Sequence, residues 1–98
     1  MATIETQVEI VNKYGLHARP AMQFVETANK YSSKIEVSNG VLNVDAKSIM
    51  SMMRLAATKG TMLTIVADGD DASEAVESLK AIVAEGFGEM EQAASASD

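Results

Sequence analysis

The stretch KYGLHARPAMQF, residues 13–24, holds the only histidine of the chain and its only proline, three positions apart. Gly15 ends a loop, and His17 stands at the expected N-cap of a helix. Pro20 is tolerated in a first helical turn because the amides there have no intrahelical acceptor. The stretch therefore predicts a helix that begins directly after His17.

The residues on both sides of this loop have clear periodicities. Apolar residues at helical spacing predict an amphipathic helix over about residues 18–30; they are Ala21, Phe24, Val25 and Ala28. Apolar or β-branched residues alternate with polar ones upstream and predict a half-buried strand over residues 3–11. These are Ile4, Thr6, Val8 and Ile10.

The middle of the chain predicts a hairpin followed by a short helix. Asn39-Gly40 is a favoured type I′ pair between two apolar runs, which indicates a β-hairpin over residues 35–44. Ser48 is suited to cap a helix, and Gly60 is a plausible C-terminal stop for it.

The last third predicts a strand and a third helix. The run TMLTIVAD, residues 61–68, is apolar and β-branched. Asp71 with Glu74 three residues later resembles a capping box, and apolar residues keep helical spacing from there to Gly86.

The predicted order is therefore β-α-β-β-α-β-α. Four strands and three helices with one apolar stripe each predict an α+β open-faced β-sandwich: a four-stranded antiparallel sheet covered on one face by three helices. We expect one domain over residues 1–88 and a frayed tail over residues 89–98.

Composition sets limits on function. The chain has 98 residues, 47% hydrophobic and 22% charged, which is ordinary for one globular domain. With no cysteine and one histidine, disulfides and thiolate sites are excluded and a metal site is poorly supported. No leader pattern or long apolar run is present, so we expect a soluble cytoplasmic protein without membrane contact.

Charge is unevenly distributed along the chain. A net charge of −6 argues against nucleic-acid binding. Residues 11–60, however, hold seven of the eight Lys and Arg residues and only three of the fourteen acids. This half contains His17 and is either a solvated face or a surface that attracts phosphate or an acidic partner.

His17 and Arg19 form the candidate reactive centre. An unprotonated imidazole is a competent nucleophile, and the positive end of the helix dipole favours an added dianion. Arg19 offers a planar fork of donors to phosphoryl oxygens. The pattern fits reversible phosphoryl transfer. The alternatives are a lone surface or capping histidine and a Ser-His-Asp hydrolase, and the sequence contains no nucleophile elbow for the latter.

The run GLHARPA at 15–21, the segment VSNGVLNVDAKSIMSMMRLAATKG at 37–60 and the element order resemble the HPr family over about residues 3–88. HPr is the histidine-containing phosphocarrier of the bacterial phosphotransferase system. The resemblance implies that His17 takes phosphate on Nδ1 from enzyme I, charged by phosphoenolpyruvate, and passes it to the A domains of enzymes II. Arg19 would steady the phosphoryl group.

The same resemblance implies a stoichiometric carrier rather than an enzyme, without a bound cofactor, and we expect a monomer. It also implies a second site at Ser48, where an ATP-dependent HPr kinase/phosphorylase acts in many bacteria. A phosphate there would suit the helix N-terminus and add negative charge to the docking face, where a transcriptional regulator could also bind.

A methionine-rich segment follows Ser48. Helical spacing places Ile49, Met52 and Met53 on one inward face and turns Met50 toward solvent. Exposed methionines suit a surface that binds several partners. The resemblance implies a common docking surface for enzyme I and the A domains, made of Leu16, Ala18, Met22, Ile49, Met50, Met53 and Arg54.

Two departures from the family pattern leave the branch open. Ala56 and Ala57 stand where many members have a glycine, and the tail beyond Gly88 is longer than the family's minimum. The chain could be a sugar-system carrier, a nitrogen-related carrier, or a regulator acting mainly through Ser48. The rival in the enzyme class is a small phosphohistidine phosphatase or transferase acting on a free substrate.

Overall fold

The computed structural model describes residues 3–88 and has the predicted element order. The elements are β1 (Thr3–Glu9), α1 (Ala18–Ala28), β2 (Lys34–Ser38), β3 (Asn43–Asp45), α2 (Ile49–Met53), β4 (Met62–Asp68) and α3 (Ala72–Ala84), then a 3₁₀ turn at Gly86–Gly88. The strands lie in the order β1-β4-β2-β3, and each neighbouring pair is antiparallel. The predicted open-faced sandwich is confirmed.

The core lies between one face of the sheet and the helices. Alternate strand residues point into it, including Val8, Ile35, Val37, Leu63 and Ile65. The helices contribute a second buried set, including Phe24, Met52, Leu79 and Val83. Helix α3 packs on β1 and β4, while α1 packs against both α2 and α3. Helix α1 therefore lies next to both other helices.

The hairpin turn differs from the predicted type I′ turn. Ser38 and Asn43 are the last paired residues, so the connection is the four-residue loop 39–42. Only Gly40 in this loop has a positive φ, whereas a type I′ turn also needs one at Asn39. The Asn39 carboxamide oxygen instead accepts the amides of Val41 and Leu42 at 2.9 and 2.8 Å. These two hydrogen bonds to one side chain close the four-residue loop.

Helix α2 is much shorter than predicted, since it ends at Met53 and not near Gly60. Ala56 has a φ of +47°, which stops helical continuation two residues after the C-cap residue Arg54. Leu55 and Ala57 on either side are buried. Burial of these two side chains therefore turns the chain away from the helix axis and back toward β4.

The predicted capping box at α3 is wrong, although Asp71 is the N-cap residue. Its carboxylate makes no capping bond. It accepts the backbone amides of Ser32 and Ser33 at 2.8 and 2.9 Å and both of their hydroxyls. These bonds, led by the Ser33 hydroxyl, lower the pKa of Asp71 from 3.8 to about 2. Asp71 thus ties the start of α3 to the loop before β2.

The other end of α3 agrees with the prediction. The helix ends at Ala84, and Gly86 follows in the left-handed region with a φ of +65°. No helix within residues 3–88 is long and apolar enough to cross a membrane. The predicted frayed tail, residues 89–98, lies outside the described residues.

Candidate functional site

The loop before α1 is anchored by backbone contacts. Gly15 has a φ of +66°, and a Cβ at this position would lie 2.4 Å from the carbonyl oxygen of Ala57. The same oxygen accepts the Leu16 amide at 2.8 Å. Within the loop, Asn12 and Gly15 are joined by two bonds: Asn12 Nδ2 donates to Gly15 O at 2.7 Å, and Gly15 N donates to Asn12 O at 3.1 Å. The loop therefore holds the residue that follows it in a defined place.

His17 is the N-cap residue of α1, as predicted, with extended φ and ψ of −85° and −171°. Its carbonyl accepts the amide of Ala21 at 2.9 Å and begins the helical ladder. Its side chain makes no capping hydrogen bond and is partly exposed. The imidazole thus stands at the positive end of an eleven-residue helix without being used as its cap.

Fewer than the usual four backbone amides are available to bind an anion at this helix end. Pro20 has no N–H, and the Ala21 amide is bound to the His17 carbonyl. The first-turn donors next to His17 are therefore the backbone N–H groups of Ala18 and Arg19. Both residues are exposed, and Arg19 lines an open groove between α1 and the 3₁₀ turn. These two amides and the Arg19 side chain are the anion-binding donors that the first turn of α1 offers next to His17 in the chain.

Sequence reasoning missed an aromatic neighbour of His17. The rings of Tyr14 and His17 are 6.3 Å apart between centroids and nearly perpendicular, at 88°. Lys13 Nζ lies 5.4 Å from the centroid of the same tyrosine ring. The spacing of three residues across a glycine was the only signal available, because periodicity has no meaning inside a loop.

Ser48 is the N-cap of α2, as predicted, and its Oγ accepts the Ser51 amide at 3.3 Å. The start of this helix is tied to the end of α1. Lys47 Nζ donates to the Tyr31 carbonyl at 2.7 Å, and Asn29 Nδ2 donates to the Lys47 carbonyl at 3.3 Å. Ser48 is therefore partly exposed at a fixed point beside the first helix.

The methionine-rich helix exposes more of its surface than predicted. Met50 is 78% exposed, which confirms that it faces solvent, and Met52 is fully buried. Ile49 and Met53, predicted to face inward, are 37% and 42% exposed. A five-residue helix turns little more than once, so one side chain, Met52, reaches the core while its neighbours lie at the margin.

The predicted docking residues divide into two groups. Leu16 is only 4% exposed because it packs in the core below the loop, so its side chain is not part of an open surface. The other six are exposed: Ala18, Met22, Ile49, Met50, Met53 and Arg54. Met22 of α1 and Ile49 of α2 line one shallow groove, so the two helices share an apolar margin. Within residues 3–88, no group of three or more His, Asp or Glu side chains could hold a metal ion.

Comparison with known proteins agrees with the fold and the site sequence. The family described as the PTS HPr component phosphorylation site matches residues 4–85. The phosphocarrier protein HPr of Haemophilus influenzae is 50% identical over 76 residues, which are 78% of this chain and 89% of that protein.

Solved structures give the same result. HPr from Thermoanaerobacter tengcongensis superposes with a TM-score of 0.83 at 46% identity, over 87% of this chain and 96% of that one. The Bacillus subtilis catabolite-repression protein Crh, solved as a domain-swapped dimer, superposes with a TM-score of 0.68 at 43% identity, over 85% and 95% of the two chains. The chain belongs to the HPr phosphocarrier family.

Proposed function

We propose that this chain accepts a phosphoryl group on His17 from enzyme I and passes it to the A domains of enzymes II in sugar uptake. The observation that carries the proposal is the position of His17. His17 is the N-cap residue of α1 without a capping bond from its side chain, two residues before Arg19, and it follows a loop anchored to the backbone of Ala57.

The chemistry follows from that arrangement. A lone pair on the imidazole nitrogen, Nδ1 by family resemblance, attacks phosphorus while the bond between phosphorus and its enzyme I carrier atom breaks. Charge on the three outer oxygens is stabilised by Arg19 and by the amides of Ala18 and Arg19. The same contacts serve the reverse role when the phosphoryl group leaves for an A domain.

The protein acts as a stoichiometric carrier in this proposal and not as an enzyme. Arg19 lines an open groove on the surface of α1, and His17 is partly exposed at the start of that helix, so the second reactant is supplied by a partner protein. No cofactor bound to this chain takes part. A phosphatase or transferase would instead need a site that encloses a free substrate.

The docking surface of the proposal is the apolar margin around α1 and α2. Met22, Met50 and Met53 are exposed, flexible and polarizable, which suits contact with several different partners. Met50→Glu should leave the unfolding free energy within about 0.5 kcal/mol of wild type, because the side chain is solvated. It should nevertheless raise the KM for this chain with enzyme I. Met52→Ala is the matched contrast: it should cost about 2–5 kcal/mol of stability because Met52 is buried.

A second candidate function is regulation through Ser48, acting on protein partners in a nitrogen-related or catabolite-control role. It is supported by the similarity to Crh and by the position of Ser48 as the N-cap of α2 next to exposed Met50. A phosphate added there by an HPr kinase/phosphorylase would lie on the helix N-terminus and place negative charge at the docking margin. A transcriptional regulator would then be the partner that reads the charge.

Intact mass spectrometry separates these functions. After incubation with phosphoenolpyruvate and enzyme I, wild type should gain one phosphate, stable in alkali and labile in acid, and His17→Ala should gain none. An A domain should then remove it. If wild type takes no phosphate from enzyme I but gains an acid-stable phosphate from ATP and a kinase, lost in Ser48→Ala, the regulatory function replaces the carrier.

A further inference from the structure

We propose that Tyr14 is a positioning residue for phosphoryl transfer: its ring restricts rotation of the His17 imidazole and so fixes the direction of the attacking nitrogen. This role rests on the proposed function of His17 as the phosphoryl acceptor. Neither the sequence periodicity nor the family resemblance indicated a role for Tyr14.

The contact between the two rings has the geometry of an aromatic pair. Their centroids are 6.3 Å apart, and the planes meet at 88°. Edge-to-face pairs are favoured at separations between about 4.5 and 7 Å. Tyr14 precedes His17 by three residues, and the left-handed conformation of Gly15 between them turns the chain so that the two rings meet.

The loop that carries Tyr14 is held firmly on both sides. Asn12 and Gly15 are joined by two hydrogen bonds, and Leu16 is bound to the Ala57 carbonyl at 2.8 Å. The backbone on both sides of Tyr14 is therefore held, although its ring is largely exposed.

Lys13 also contacts the Tyr14 ring. Its Nζ is 5.4 Å from the Tyr14 centroid, within the range of a cation–π contact. Taken with the separation of 6.3 Å between the two rings, this places the ammonium no more than about 12 Å from the imidazole. The Debye length is about 8 Å at physiological salt, so the Lys13 charge should attract an anionic donor mainly at low salt. Its contact also limits movement of the tyrosine ring.

The effect on chemistry is one of orientation. Displacement at phosphorus needs the nitrogen lone pair aligned with the bond that breaks, and an imidazole that samples more orientations is aligned for a smaller fraction of the time. Loss of the Tyr14 ring should therefore lower the rate of the transfer step more than the affinity for the donor.

Two variants separate the ring from its hydroxyl. Tyr14→Phe keeps the aromatic contact, whereas Tyr14→Leu keeps apolar bulk without a ring. Both should fold as wild type does, as judged by urea midpoints, because Tyr14 is largely exposed. In NMR spectra, the imidazole signals belong to His17 alone, since the chain has one histidine. We expect Tyr14→Leu to shift the His17 ring signals clearly further from wild type than Tyr14→Phe does.

The kinetic arm uses two donors. With enzyme I, Tyr14→Leu should lower kcat by about 2- to 10-fold with little change in KM, and Tyr14→Phe should stay within about 2-fold of wild type. With a small phosphoramidate, the imidazole forms a new N–P bond as the donor's P–N bond breaks and ammonia leaves. The same order of rates should appear there without any protein partner.

The outcomes are distinguishable. Equal ring signals and equal phosphoramidate rates in the Leu and Phe variants would overturn the positioning role, as would a rise in KM alone, which marks a docking contact. Failure of wild type to accept phosphate from enzyme I would instead overturn the proposed function. In that case, slower reaction of Tyr14→Leu with phosphoramidate would still establish that Tyr14 orients the imidazole.

Discussion

The contact between Gly15 and Ala57 gives the sharpest test of how the fold presents His17. In Gly15→Ala the new Cβ would lie 2.4 Å from the Ala57 carbonyl oxygen and 2.9 Å from the Thr58 Cα. Both are backbone atoms, which cannot rotate aside as the end of a flexible side chain can. The loop must therefore move away from residues 57–58, and His17 must move with it.

The magnitude can be worked from the local structure. A left-handed alanine costs about 1–2 kcal/mol relative to glycine. The forced contact adds about 1–3 kcal/mol, and a weakened bond from Leu16 to Ala57, now 2.8 Å, adds about 0.5–1.5 kcal/mol. Alanine restricts the unfolded chain and returns about 0.4–1 kcal/mol. We expect the unfolding free energy to fall by about 1.5–6 kcal/mol, centred on about 4 kcal/mol, against about 5–15 kcal/mol for a typical domain.

Urea unfolding at neutral pH measures this loss, with Gly40→Ala as the matched control. Gly40 has a φ of +94°, and an alanine Cβ at this position would have nothing within 4 Å, so this variant carries backbone strain without a forced contact. Gly40→Ala should lose about 1 kcal/mol and keep full phosphorylation by enzyme I. Equal losses in the two variants, within about 0.5 kcal/mol, would refute the reasoning because the contact would then contribute nothing.

Three other predictions concern capping, strain and acid stability. Ala56→Gly should raise the unfolding free energy by about 0.5–1 kcal/mol, since it relieves a φ of +47°. Thermal melting checks this, with Ala57→Gly as the control: Ala57 is buried and has no positive φ, so that variant should lose stability. A loss of stability in Ala56→Gly would contradict the prediction. Ser48→Ala should cost about 1 kcal/mol of stability through loss of the bond to the Ser51 amide. Ser48→Asp keeps a capping side chain and should stay near wild-type stability, but it should slow phosphoryl transfer from enzyme I. Equal transfer rates in Ser48→Asp and wild type would count against docking at the apolar margin around α1 and α2. The pKa of Asp71 is lowered to about 2, so its stabilising effect is full above about pH 4 and is lost as the pH falls toward 2. The denaturant midpoints of wild type and Asp71→Asn should therefore converge over that range. A constant difference between the two midpoints would contradict this, as would the same convergence in the control variant Asp70→Asn.

Sequence reasoning succeeded where the signal is local and periodic. The alternation over residues 3–11 correctly predicted that Val8 and Ile10 are buried. The helical spacing of apolar residues in α1 did the same for Phe24. The caps His17 and Ser48 were also predicted at their positions, because an N-cap is defined by residues a few positions away.

The incorrect predictions concern side chains whose surroundings are decided by tertiary contacts rather than by neighbouring residues. Asp71 was predicted to cap its own helix, but two serines from the loop before β2 are bound to its carboxylate. Ile49 and Met53 were assigned inward by spacing, yet a five-residue helix offers the core only Met52. Leu16 was assigned to the docking surface through the family resemblance, although its side chain is buried in the core.

The sequence by itself determined the element order, the sheet class and the pairing of His17 with a helix N-terminus and Arg19, because periodicity, caps and motif residues act over a few positions. Only the tertiary structure decided how that histidine is held. The Ala57 carbonyl that fixes the loop is forty residues beyond His17 along the chain, and Gly15, which packs against that carbonyl, lies between Tyr14 and His17, whose rings meet. Contacts of this kind depend on the packing of the whole domain, which no local pattern records.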